Sequence, residues 1–281
     1  MREITTGTIR VPGARLYYEV RGAGPALLMI PTGNGDAAPF EAIATVLADR
    51  YLVITYDRRG YSRSPLEHPV DDTAGVPTDA DDAHLLLHHL TTGPAHVFGS
   101  CSGAIVALAL LMRHPDQMRM LVAHEPPLAS VLPDAAYWQE FYAGLHATYR
   151  SDGIDAAKQV FRAHLGLTGE TRPPKDAELP ADRLAQMLAR IRGNQEFWWD
   201  HEMQAYPAFV PDIAALRLVS DQLVLAVGSE SREDFPYRPN AMLAELLGIK
   251  VTDFPGGHVG HVTHPAEFAA TLAGILATPG G

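Results

Sequence analysis

The spacing of apolar residues changes period several times along the chain, and each change predicts an element. Residues 6–11 (TGTIRV) and 14–20 (ARLYYEV) alternate apolar and polar side chains on either side of Gly13, which predicts an antiparallel hairpin. Residues 26–31 (ALLMIP) and 51–57 (YLVITYD) are apolar without alternation, as in strands covered on both faces. Between them, 40–50 (FEAIATVLADR) has helical spacing. Further helices are predicted over 79–90, where acidic residues crowd the first turn, and over 102–115. Short apolar runs at AHVFGS and MRMLVAHE flank the second of these. Strand and helix therefore alternate, the signature of a mostly parallel central sheet with helices on both faces, an α/β fold.

The alternation stops between 128 and 215. Three amphipathic stretches follow one another there: DAAYWQEFYAGLHATYR, GIDAAKQVFRAHLG and PADRLAQMLARIRGNQEFWWDHE. Strands resume at 222–229 (QLVLAVGS) and 250–257 (KVTDFPGG), each followed by a helix. The expected organisation is a core formed by 1–127 and 216–281, with 128–215 inserted as a helical lid.

Composition narrows the chemistry. The 281 residues carry 22 basic and 33 acidic side chains, a net charge of −11, with no basic cluster to attract a nucleic-acid backbone. The longest apolar stretch, 104–112, is far too short to span a membrane, and MREITTGTIRVPG lacks the apolar run of a signal peptide. No membrane association and a cytoplasmic location are expected. A lone cysteine, Cys101, rules out an intrachain disulfide. There is no phosphate loop, no dinucleotide fingerprint after the first strand and no other cofactor motif, so no cofactor is expected.

Cys101 stands at the centre of Gly99-Ser100-Cys101-Ser102-Gly103, between a predicted strand and a predicted helix. Small neighbours permit a sharp turn that pushes the central side chain out above the sheet, and the free N–H groups of the helix start favour a thiolate. The flanking serines are out of register with that turn. A metal site at His258, His261 and His264 is not expected, because no cysteine or carboxylate cluster accompanies them; His261 and His264 read as polar residues of a surface loop.

Four stretches, in order, resemble the α/β-hydrolase superfamily over nearly the whole chain. LLMIPTGNGD stands where that family has its oxyanion loop, with Pro31-Thr32 in place of the usual His-Gly. YDRRGYSRS (56–64) is similar to its D-x-R-G-x-G-x-S stretch, GSCSGA to its nucleophile elbow, and PGGHVGHVTHPAEF (255–268) to its C-terminal histidine segment. The resemblance implies Cys101 as nucleophile, His258 as base and then acid, and oxyanion donors at the N–H groups of Ser102 and Gly33. It places the acid three residues after Gly228, where this chain has Ser231 instead, or at the end of the strand after the nucleophile helix, where it has Glu125. Glu125 is preferred, with Glu230 as the alternative.

The aromatic insertion, with Trp138, Trp198 and Trp199 as expected substrate contacts, implies an apolar or aromatic acyl substrate. The expected activity is hydrolysis of an ester, thioester or lactone through an acyl-enzyme. A lyase, cyclase or isomerase on the same scaffold, or a ligand-binding protein with a degenerate site, is the alternative. A homodimer is left open.

Overall fold

A computed structural model describes residues 4–167 and 171–277. Eight strands form one sheet in the order β1-β2-β4-β3-β5-β6-β7-β8. β1 (Ile4–Val11) and β2 (Ala14–Arg21) are the hairpin, turning at Gly13 with φ of +80°. β2 pairs antiparallel with β4 (Leu52–Tyr56). The rest of the sheet is parallel: β3 (Ala26–Ile30), β5 (Ala95–Ser100), β6 (Met118–His124), β7 (Leu223–Gly228) and β8 (Val251–Phe254).

Successive residues of the parallel strands serve opposite layers, which is why these strands do not alternate in polarity. Leu27, Met29, Val53, Phe98 and Val122 pack against α1 (Glu41–Leu47) and α10 (Pro265–Leu276). Leu28, Ile30, Ile54, Val97 and Leu121 pack on the other face, against α2 (Gly75–Leu90) and α3 (Ser102–Arg113). α3 is buried continuously from Ser102 to Leu111, consistent with a helix apolar on every side. α2 begins at Gly75, four residues before the acidic cluster that predicted its start. Pro77 lies in its first turn, where a missing N–H costs no helical hydrogen bond.

Between β6 and β7 the chain forms α4 (Ala135–Asp152), α5 (Ile154–Leu165) and α6 (Ala181–Phe197). α6 runs into a π-helical turn over Trp198–Glu202. Thr168, Gly169 and Glu170, in the loop expected after α5, lie outside the described residues. These helices have an apolar cluster of their own, including Leu132, Trp138, Tyr142, Leu145, Trp199 and Met203, which Phe235 joins from the core. Tyr206, near the end of the insertion, packs instead into the main core. α7 (Ile213–Leu218) and α8 (Tyr237–Leu247) complete the α3 side of the sheet, and α9 (Gly260–Thr263) is a single turn before α10.

From the neighbouring strands β3 and β5 the chain leaves in opposite directions, to β4 on one side and to β6 on the other, which opens a crevice at their carboxyl ends. The loop after β3 and the start of α3 meet there.

Candidate active site

β5 and β6 pair up to Ser100 and His124, and each strand then breaks at its next residue. Those residues are Cys101, with φ of 55° and ψ of −123°, and Glu125, with φ of 48°. Both occupy the positive-φ region that side-chain-bearing residues seldom adopt, and both remain tied to the sheet. The Cys101 N–H donates to the His124 carbonyl at 3.0 Å, and the Glu125 N–H donates to the Ala226 carbonyl at 3.1 Å. The two kinks turn a thiol and a carboxylate toward the same end of the sheet.

His258 joins them from the loop after β8. Its Nδ1 lies 2.7 Å from Glu125 Oε2, and the ring also shares a hydrogen bond with the Cys101 thiol. Glu125 is wholly buried, and its other oxygen accepts from the Gly228 N–H at 2.7 Å. Burial alone would raise the Glu125 pKa. The His258 hydrogen bond and charge, the nearby His124 and the Gly228 N–H outweigh it and bring it down to about 2.

Burial also works against charge on Cys101 and His258. The His258 charge and the backbone N–H groups of Ser102 and Gly33 hold the thiol below its ordinary value. Correspondingly, the Cys101 sulfur and the Glu125 carboxylate overcome burial and push His258 up to about 10. The pairing therefore favours the thiolate–imidazolium form over what either group would show alone.

Ser102 and Gly33 are thus both placed with a backbone N–H toward the sulfur, from opposite walls. Ser102 opens α3, while Gly33 follows β3, whose Ile30 pairs with Gly99 of β5. Pro31 in place of histidine leaves this arrangement intact. α3 sits so close beneath β3 that a Cβ on Gly103 would overlap the carbonyl oxygens of Ile30 and Pro31.

Glu230 is exposed, and its position is not that of the His258 partner. Ser231, the residue at the position where the resemblance would place an acid, is buried with an unpaired hydroxyl near Gly257. The surface-loop reading of His261 is corrected. It is buried within α9, with its ring 5.0 Å from Phe40 and 6.0 Å from Phe268, because α9 packs against α10, α1 and the turn before α1. His264 is half-buried, 2.9 Å from the Thr263 hydroxyl. Among the described residues no three His, Cys, Asp or Glu side chains converge as metal ligands.

A small cavity of about 30 Å³ lies over Cys101, bordered by Tyr142, Phe161, Trp198, Phe235 and Glu202. Of the three tryptophans, only Trp198 reaches it. Trp138 donates to Asp134 at 3.1 Å and packs on Phe235, and Trp199 stacks on Tyr149, so both serve the apolar cluster of the inserted helices. Helical spacing cannot separate these roles, because the π-helical turn shifts which residues face the core. Glu202 was not anticipated from sequence. Its buried partner Arg58 is 144 positions away and leaves no local pattern.

The family model for the alpha/beta hydrolase fold matches residues 25–265. An uncharacterised hydrolase of Bacillus subtilis is 37% identical, with 97% of this chain and 96% of that protein covered. A zearalenone hydrolase of Bionectria ochroleuca is 27% identical over 94% of this chain and 95% of its own. Among solved structures, a putative alpha/beta hydrolase from Nostoc superposes with a TM-score of 0.71 at 18% identity, covering 98% of both chains. Together with the eight-stranded sheet and its crevice, these matches place the chain in the α/β-hydrolase family, as a hydrolase built on that scaffold.

Proposed function

We propose that this hydrolase cleaves an ester, thioester or lactone of an apolar small molecule through a thioester acyl-enzyme on Cys101. The observation that carries this reading is the hydrogen-bonded chain from Cys101 through His258 to Glu125, with the thiol held below its ordinary pKa. In the first step the thiolate forms a C–S bond to the carbonyl carbon, and the C=O electron pair moves onto oxygen. The Gly33 and Ser102 N–H groups face that oxyanion. Collapse breaks the bond to the leaving group, which takes the His258 proton as it departs. A water then loses its proton to His258 and attacks the thioester; the acid is released and the thiolate restored. Glu125 stays ionised throughout, orienting the ring and balancing its charge.

The walls of the cavity favour an apolar acyl group. Tyr142, Phe161, Leu165, Trp198 and Phe235 offer aromatic and aliphatic surface, with Glu202 as the acidic side chain among them. The Bionectria relative makes zearalenone a first compound to assay.

The test is the intact mass of the protein after brief exposure to p-nitrophenyl esters. The expected result is one acyl group per chain, mapped to Cys101, and loss of turnover by at least about a thousandfold in Cys101→Ala. Undiminished turnover in Cys101→Ala would remove the covalent mechanism in favour of chemistry led by His258.

A further inference from the structure

Arg58, in the loop after β4, is wholly buried, and its guanidinium touches three separate parts of the chain. Nη1 donates to Asp79 of α2 at 2.7 Å and to Glu202 at 2.8 Å. Nη2 donates to the other oxygen of Glu202 at 2.7 Å and to the backbone carbonyl of Thr32 at 3.3 Å. The rings of Tyr61 and Tyr206 lie 4.9 and 5.5 Å from it, and the Tyr206 hydroxyl donates to Asp79 at 2.8 Å. Charge neutralisation explains the two carboxylates. It does not explain the fourth contact, to an uncharged carbonyl in the loop beside the nucleophile.

That contact has a geometric consequence. The Thr32–Gly33 peptide is planar and trans, so the Thr32 C=O and the Gly33 N–H point in opposite directions. The carbonyl accepts from the Gly35 N–H at 2.9 Å and from the guanidinium as a second donor, and the two together hold the peptide with its N–H on the other side, toward the Cys101 sulfur. The inserted helices press on the same residue. Trp198 opens the turn that ends in Glu202, and its indole nitrogen is only 2.6 Å from where a Cβ on Gly33 would lie. A rigid, forked donor suits this task, since it can bind a carboxylate with both arms and still reach a carbonyl.

We propose that Arg58 is a positioning residue that aims the Gly33 N–H into the oxyanion hole, and that Glu202 completes the clamp when the inserted helices are seated on the core. The proposal rests on the acyl-transfer reading above. It adds that the hole is set by a buried ion cluster shared between core and insertion, so that the seating of one tunes the other.

Two reactions of the same sulfur separate this role from general support of the fold. Acylation by p-nitrophenyl acetate passes through an oxyanion. Alkylation by iodoacetamide displaces iodide at a saturated carbon and forms none. In Arg58→Lys, which keeps the charge but loses the fork, acylation should slow by about 10–100-fold, short of or comparable to removing a donor outright. Alkylation at its alkaline plateau should stay within about twofold of the unaltered protein. Glu202→Gln should show the same selectivity with a smaller loss, about 3–10-fold, and keeps the test available if the Arg58 variant does not fold. Equal loss of both reactions, or no loss of acylation in a folded variant, would overturn the proposal. Failure of the underlying reading looks different: the unaltered protein would be alkylated at Cys101 but never acylated there.

Discussion

At Cys101, His258 and Glu125, what distinguishes the site is where the proton rests. A hydroxyl at the elbow would keep its proton until attack, whereas the lowered thiol pKa and raised His258 pKa favour passing it to the ring. Activity should rise with pH as Cys101 ionises below its ordinary value of 9.0, and fall as His258 loses its proton near pH 10, leaving none for the departing group. Glu125→Gln should cut kcat by about 10²–10⁴-fold and shift the alkaline limb downward, since the carboxylate is one of the groups that raise His258. A pH–rate profile for a substrate with a poor leaving group measures both. Stability follows the same charges. The His258 contribution is fully present below its ordinary 6.5 and is lost as pH rises through about 10. That of Glu125 is present above its ordinary 4.5 and is lost as pH falls through about 2.

Among the elements, the junction of β3 with α3 fixes the distance between the Gly33 loop and Cys101. Gly103 allows α3 to touch the last carbonyls of β3, so Gly103→Ala must push the two apart. We expect a loss of about 2–3 kcal/mol in stability, measured by urea unfolding, with activity reduced more than stability alone explains because Gly33 and Ser102 separate. The elements themselves were largely legible beforehand. Uninterrupted apolar runs predicted the buried strands, and the shift to helical spacing after 128 predicted the helices between β6 and β7. Less was legible where a residue's role depends on a distant partner. Trp138 and Trp199 share the helical spacing and chemistry of Trp198, yet serve a different purpose. His261 reads as polar, but aromatic neighbours from α10 and from the segment before α1 enclose it.

For the molecule as a whole, the layer under the active site carries buried imidazoles. His124 is enclosed by Phe98, Phe254 and Phe268, and burial brings its pKa down to about 4. His261, close by, is lowered further for the same reason. Unfolding lets both take up protons near their ordinary 6.5, so stability should decline from about pH 6.5 toward pH 4, before Glu125 protonates. His124→Phe should fill the same space and remove up to about 3 kcal/mol of that decline. Urea midpoints measured across this range, compared with the unaltered protein, check it. No helix among the described residues is long and apolar enough to cross a membrane.

By itself the sequence determined the order of strands and helices, the elbow register that puts Cys101 at the turn, and the candidacy of His258. These depend on local spacing, small residues and chain order, all of which are written in consecutive positions. The tertiary structure decided which carboxylate meets His258, that Trp198 alone of the tryptophans reaches the cavity, and that Arg58 spans Asp79, Glu202 and Thr32. Those choices depend on neighbours in space, since β6 lies beside β5 and the turn after α6 meets the loop after β3. A buried charge declares its purpose only once its partners, Glu202 among them 144 positions away, are brought around it.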